Sequence, residues 1–389
     1  MRDDPGLHQG GSGVIEFFPP DVFEADHETL LEIVRAIGTG PEQRFILGEA
    51  TAALERELAA DLGAADVIAC SSGTSALTLI LHAMRVGPGD EVVVPAYGCA
   101  PLAATVVNLG ATPVFADVDP WTMVVDPSEV EACVTERTKV LLPAHIFSVM
   151  ADMPRLRKIA QRSGVRLVED SAVAQGAVLD GRPAGLWGEA GLYSFVQVKS
   201  FGTAGEGGVV VTDDPDLARD IRMLRNHGQD GRHRFLHHVI GYNSRFDEIQ
   251  ARFLLHRLPG FPERLERRAR IADHYAQRFA GLAEHGVIAP PPGRNGRCYY
   301  VYTLLTEQRD ALRDHLTRHG IASHVYYPRP LPTQAAFAAW APPGRRWPGA
   351  ERASRCTLSI PVHPQLTDAQ VEHIADTVHA FAVGADGSR

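Results

Sequence analysis

Val165-Arg-Leu-Val-Glu-Asp170 and Leu192-Tyr-Ser-Phe-Val-Gln-Val-Lys199-Ser-Phe-Gly-Thr-Ala-Gly-Glu-Gly-Gly208 are the stretches on which the reading of the fold turns. The first is an apolar run that ends in a carboxylate. The second holds a strand over 191–195, then a lysine, then a glycine-rich turn into a valine-rich strand. In an open α/β sheet the ligand site lies outside the carboxyl ends of the strands. Lys199 follows Asp170 by 29 residues, about one βαβ crossover, so both side chains are expected at the same sheet edge.

The same alternation continues outward. From about residue 45 to 215, short apolar runs (66–70, 91–95, 112–116, 138–143, 166–169, 191–195 and 208–212) alternate with helical patterns, among them 74–86, 100–109, 127–132 and 152–163. This predicts an α/β fold, with a mostly parallel seven-stranded sheet between helices. Asp213-Asp214-Pro215 reads as a helix N-cap followed by proline in the first turn. A long helical stretch over 247–285 leads out of the sheet region, and Pro290-Pro291-Pro292-Gly293 marks the entry to a C-terminal module. That module reads as strand (299–306), helix (309–319), strand (323–327), a loop rich in proline and aromatics, strand (357–360) and final helix (368–381). The expected organisation is a flexible tail over 1–14, a large domain over 15–255, and a smaller α+β domain over 256–389 that includes the linking helix.

Composition narrows the function. The formal net charge is -9 with no basic run, which disfavours nucleic acid and anionic membranes as partners. The five cysteines are scattered, without a Cys-x-x-Cys pair or His/Cys metal spacing, so a reduced, cytoplasmic, metal-free protein is expected. No stretch of about 20 apolar residues is present, and the N-terminus lacks the apolar core of a signal peptide.

The chain has 38 Lys+Arg but only three lysines, Lys139, Lys158 and Lys199. An ammonium in the mostly apolar segment around Lys199 must be desolvated, which costs free energy and lowers its pKa. A lysine with a lowered pKa condenses with aldehydes, whereas arginine does not. The plainer alternative is a lysine at a loop edge with its head in water. Ser71-Ser72-Gly73-Thr74-Ser75 follows a strand and opens a helix, where backbone N–H groups and the helix dipole suit a phosphate; Ser and Thr are also ordinary N-caps. Asp170 at its strand end could pair with a heteroaromatic N–H⁺ or cap a helix. Ser194, five residues before Lys199, could reach the same phosphate. Asn243 and Arg245 precede a helix start and can point toward an anion.

Taken together, these pieces resemble the pyridoxal-phosphate-dependent sugar aminotransferases of fold-type I, the DegT/DnrJ/EryC1/StrS family. The resemblance covers roughly residues 15 to 382 and is carried by "SSGTSAL", "DEVVVPAY", "GATPVFADVDP", "VEDSA", "YSFVQVKSFGTAGEGGVVVT", "GYNSRFDEIQA", "YYPRPL" and "LSIPVHPQLT". It implies that Lys199 forms a Schiff base with pyridoxal 5'-phosphate and later shuttles a proton. It implies that Asp170 holds the pyridine nitrogen protonated, and that Gly73, Thr74, Ser75 and Ser194 hold the phosphate. Asn243 would reach the cofactor of a partner subunit, giving a homodimer with shared sites. Arg245, His324 and Tyr326 would face the substrate. The implied reaction moves an amino group from an amino acid, glutamate or glutamine, to a keto substrate. That substrate would be a nucleotide-linked sugar or an aminocyclitol precursor of a specialised metabolite or glycan.

Two positions depart from the family pattern. Val173 stands where Gln or His hydrogen-bonds the cofactor's 3′ oxygen, and Cys99 stands where an aromatic ring stacks on the cofactor, so Tyr97 becomes a candidate for the stacking ring. Both changes touch the pyridine ring. They keep open other, non-transaminating pyridoxal-phosphate chemistry; Lys199 argues against the alternative of a dehydratase, which in this family carries histidine at that position, and the intact Lys199, Asp170 and Ser194 argue against a catalytically silent cofactor-binding regulator.

Overall fold

The structure, a computed structural model, describes residues 13–19, 26–39 and 44–384. Most of the expected tail therefore lies outside the described residues. Two helices, α1 (His27–Thr39) and α2 (Glu49–Leu62), precede the sheet. Its strands are β1 (Asp66–Cys70), β2 (Glu91–Pro95), β3 (Thr112–Ala116), β4 (Thr138–Leu141) and β5 (Arg166–Asp170). After a short hairpin of β6 (Val178–Leu179) and β7 (Arg182–Pro183) come β8 (Ala190–Ser194) and β9 (Gly208–Thr212). The seven long strands take the order β1-β9-β8-β5-β4-β2-β3, with β9 antiparallel to both neighbours and the other pairs parallel. Valine runs suit strands covered on both faces: all five residues of β2 and of β9 are buried.

Helices α3 (Gly73–Ala83), α4 (Pro101–Asn108), α5 (Pro127–Cys133), α6 (Met153–Ser163) and α7 (Pro215–Arg225) connect the strands. One of them starts as the sequence suggests, at Asp214-Pro215, and two others use the same device. Asp126, Asp152 and Asp214 each accept a first-turn backbone N–H, and each helix has proline in its first two positions. The expected single helix over 247–285 is instead α8 (Glu248–Arg257), α9 (Phe261–Arg278) and a 3₁₀ turn (Leu282–His285). Pro259-Gly260 and Pro262 end the first helix and start the second.

Beyond α9, β10 (Tyr302–Leu305) pairs antiparallel with a second strand, Thr357–Ile360, here β11. Helix α10 (Arg309–Arg318) follows β10, α11 (Pro348–Cys356) precedes β11, and α12 (Asp368–Val383) closes the described chain. The expected strand over 323–327 is not one. It makes only a bridge, His324 to Ser359, because the segment turns away toward Tyr97 and Pro328 follows. The expected proline-rich loop contains α11, whose first N–H groups, on Gly349 and Ala350, donate to Asp117 at 2.8 and 2.9 Å. One apolar cluster underlies the sheet and takes in Tyr300, Val301 and Leu331 from the C-terminal part. A second joins α9, β10, β11 and α12. No helix among the described residues is long and apolar enough to cross a membrane.

Candidate active site

The register of the sheet builds the first half of the site. Gly208 at the start of β9 pairs with Cys70 at the end of β1 and with Ser194 at the end of β8. The turn from β1 into α3 therefore crosses directly over Ser194. A Cβ on Gly73 would lie 2.9 Å from Ser194 Cβ, and one on Gly208 would lie 2.6 Å from the Ser72 carbonyl carbon, so glycine is required at both positions. Ser72 caps α3 by accepting the Ser75 N–H at 3.0 Å. The hydroxyls of Ser71 and Ser75 lie 2.9 Å apart, and Ser71 lies 3.2 Å from Ser244 in the Asn-Ser-Arg loop. Thr74 is exposed at the opening of the helix. The Gly73–Ser75 segment and Ser194 thus lie side by side at one sheet edge.

The second half is a cleft at the carboxyl ends of β4 and β5. Cys99, His145, Phe147, Asp170, Val173, Lys199, Tyr300, Tyr326 and Tyr327 are on its walls. Asp170 is buried. Its Oδ1 accepts the Ala172 N–H at 3.0 Å, and its Oδ2 has only the Cys99 thiol, at 4.0 Å. Burial pushes its pKa up, while the Ala172 N–H, Lys199 and His145 pull it down. The Lys199 ammonium lies 4.8 Å from the centre of the Tyr300 ring and makes no hydrogen bond or ion pair among the described residues. Burial lowers its pKa, against the opposing charges of Asp170 and Glu206. Burial, with Asp170 beside it, pushes the Cys99 thiol up to about 12, so Cys99 stays a neutral thiol at physiological pH.

Behind the wall residue His145 sits Glu169. Glu169 is fully buried. Its Oε1 accepts the Trp187 N–H and, at 3.1 Å, the Gly188 N–H. Its Oε2 accepts the Gly185 N–H at 2.9 Å and lies 3.1 Å from His145 Nε2. His145 Nδ1 accepts the Ala151 N–H at 3.2 Å, so Nε2 carries the proton and donates to Glu169.

The structure brings together most of the residues singled out from the sequence, with exceptions. Tyr97 is fully buried and takes no part in the cleft wall, so it is not a stacking ring. Its hydroxyl lies 2.5 Å from the Tyr326 carbonyl, accepts the Tyr327 N–H at 2.6 Å and lies 3.0 Å from Thr357 Oγ1. His324 lies outside the cleft wall, packed 4.4 Å from the Phe17 ring and stacked at 5.7 Å on Tyr326. Asn243 is exposed and accepts from Arg245 Nε at 3.2 Å, and neither of the two lines the cleft. Sequence reading missed His145, Phe147, Tyr300 and Tyr327. His145 could have been found, since it follows β4 at the same sheet edge as Asp170; the tyrosines return from far along the chain.

A lysine and a carboxylate facing one cleft at the carboxyl edge of this sheet define a fold-type I, pyridoxal-phosphate-dependent transferase. The chain belongs to the DegT/DnrJ/EryC1/StrS aminotransferase family, whose profile matches residues 26–379. It is 40% identical over 348 residues to the UDP-N-acetyl-3-dehydro-alpha-D-glucosamine 3-aminotransferase of Acidithiobacillus ferrooxidans, covering 89% of this chain and 93% of the relative. It is 38% identical over 364 residues to the "Pleiotropic regulatory protein" of Geobacillus stearothermophilus, covering 93% and 97%. The crystal structure of S. venezuelae DesV in complex with a ketimine intermediate superposes with a TM-score of 0.89 at 36% identity, over 95% of this chain and 99% of that one. The protein is a pyridoxal-phosphate-dependent aminotransferase.

Proposed function

We propose that this aminotransferase converts the oxo group of a nucleotide-linked keto sugar, or of a related ketocyclitol, into an amine, with glutamate or glutamine as donor. The observation that carries the reading is the pairing of a buried, donor-poor Asp170 oxygen with an unpaired Lys199 ammonium in one cleft. The names of relatives that act on UDP- and dTDP-linked sugars support the substrate class.

The residues present fit the cofactor. Gly73, Thr74, Ser75 and Ser194 would hold its phosphate at the N-terminus of α3, where two glycines keep the backbones close enough to form the cradle. Asp170 would hold the proton of the pyridine nitrogen with the oxygen that lacks a strong donor. When bound, pyridoxal 5'-phosphate supplies an aldehyde for amines and a protonated ring that withdraws electrons from the attached carbon. Lys199 would carry the cofactor through Nζ and then move the substrate's proton with the same nitrogen; its lowered pKa keeps that amine available as a base. Cys99 and Val173 would flank the ring, and Tyr326 with Arg245 would meet the substrate. His324 would act from behind, by stacking on Tyr326.

The exposure of Asn243 on its own protomer supports a homodimer in which this residue reaches the partner's cofactor. The division into a cofactor domain over 15–255 and a smaller domain over 256–389 belongs to the same proposal. Tyr300, Tyr326 and Tyr327 then form the small domain's side of the cleft.

The test is a screen of UDP- and dTDP-linked keto sugars and of ketocyclitols with each donor, read by mass spectrometry for an amino group in place of the oxo group. Turnover of simple α-keto acids alone would sink the substrate class. Mixing inactive Lys199→Ala and Asn243→Ala subunits should restore part of the activity. No recovery after verified subunit exchange would sink the shared site.

A further inference from the structure

A groove lies at the other end of β5 from the cleft. Arg166 opens that strand and Asp170 ends it, so the two are about 13 Å apart along four strand steps. The groove, about 880 Å³ with its open mouth, is lined by Arg157 and Gln161 of α6, by Arg166, and by Arg182, Trp187 and Glu189 around the hairpin.

Three guanidiniums meet here without a carboxylate partner. Arg157 and Arg166 make no side-chain hydrogen bond or ion pair among the described residues, although Arg166 is half-buried. Arg182 donates Nε to the Leu186 carbonyl, and its guanidinium lies 5.6 Å from the centre of the Trp187 ring. Glu189 is the one carboxylate on the lining, and its Oε2 accepts the Leu167 N–H at 2.7 Å. The Trp187 indole N–H is shielded from solvent and has no partner. Other arginine clusters of this acidic chain are neutralised locally, as Arg222 is by Asp66 and Glu55, or Arg294 by Glu266 and Asp273.

Unpaired guanidinium forks match phosphate oxygens, and an indole with an arginine beside it offers a flat surface for a planar ring. The space falls in the range of small-molecule sites and exceeds what inorganic phosphate needs. We propose that this groove binds a nucleoside phosphate, with Arg157 and Arg166 on the phosphate and the base at Trp187 and Arg182. The proposal does not depend on the substrate of the cleft.

The test is calorimetric titration of the cofactor-loaded full chain with UDP, ADP, uridine, adenosine and inorganic phosphate, at fixed ionic strength. The wild type is compared with Arg157→Gln/Arg166→Gln and with Trp187→Phe, which keeps the ring. The better nucleotide should bind roughly tenfold or more weakly to the double variant, while turnover at saturating substrate stays within about twofold and the thermal midpoint is unchanged. Trp187→Phe should weaken binding about threefold or more and abolish the nucleotide-induced change in tryptophan fluorescence. Unchanged nucleotide affinity in the double variant would overturn the site. Inorganic phosphate binding as tightly as the nucleotide would overturn the nucleoside, and no nucleotide binding at millimolar concentration would overturn both.

Discussion

The two ends of the active site are built by different means. The end proposed for the phosphate is made of backbone: the β1–α3 turn, the end of β8 and the start of β9, locked together by two glycines that admit no Cβ. The end proposed for the ring is made of side chains from six separated segments, around Cys99, His145, Val173, Lys199, Tyr300 and Tyr327. A backbone cradle has almost no room to vary, because any side chain added at its contacts meets a neighbour within 3 Å. A wall of side chains can exchange Gln for Val, or a ring for a thiol, while the strands that carry it stay in place. That contrast accommodates the two departures that the resemblance implies, Cys99 and Val173, on the side proposed for the ring.

Four substitutions press on this difference, in order of expected effect. Lys199→Ala should lower kcat by at least about 10⁴-fold, because no other amine faces the cleft; borohydride should then fix no cofactor to the peptide that carries residue 199. Labelling of Lys139 or Lys158 in the wild type would break the assignment. Asp170→Asn should cut kcat by about three orders of magnitude yet leave cofactor affinity within a few-fold, since the phosphate end is untouched. Cofactor loss on gel filtration of that variant would show that the two ends are not separable.

Gly73→Ala should do the reverse. The new methyl would sit 2.9 Å from Ser194 Cβ, and overpacking of about 1.4 kcal/mol would weaken cofactor binding roughly tenfold, with kcat at saturating cofactor little changed. An equilibrium-dialysis constant equal to wild type would mean that the cradle yields. Val173→Gln is the smallest test. A donor beside the ring should move the pH midpoint of the cofactor's visible absorbance by more than about 0.3 units, on the order of 0.4 kcal/mol. A midpoint that stays put would make Val173 a packing residue only.

The same contrast governs what the sequence disclosed. The strands, the capped helices and the phosphate end were legible because their determinants are local: valine runs, Asp-Pro starts, and a glycine–serine turn after a strand. From the residues alone the ring end was legible only where a strand end pointed to it, as at Asp170 and Lys199; Cys99, Val173 and Tyr326 were marked by the resemblance. Tyr300 arrives by tertiary packing across about a hundred residues with nothing near it in the chain to mark it as a wall of the cleft, whereas Tyr327 adjoins Tyr326, which the resemblance had marked. Helix α11 was hidden in the same way, since Asp117, the acceptor that caps it, lies 232 residues away. The stretch over 323–327 has the composition of a strand, but the hydroxyl of Tyr97 draws its end out of the sheet.

That hydroxyl has a kinetic consequence. The amide of Tyr327 lies in a loop, where proton exchange with water ordinarily takes place in local openings that involve few residues. Here the amide donates to the oxygen of a fully buried ring that follows β2. Its proton should therefore exchange on the schedule of the central sheet and far more slowly than those of flanking loop amides. One wall of the substrate cleft would then open only when the sheet itself does.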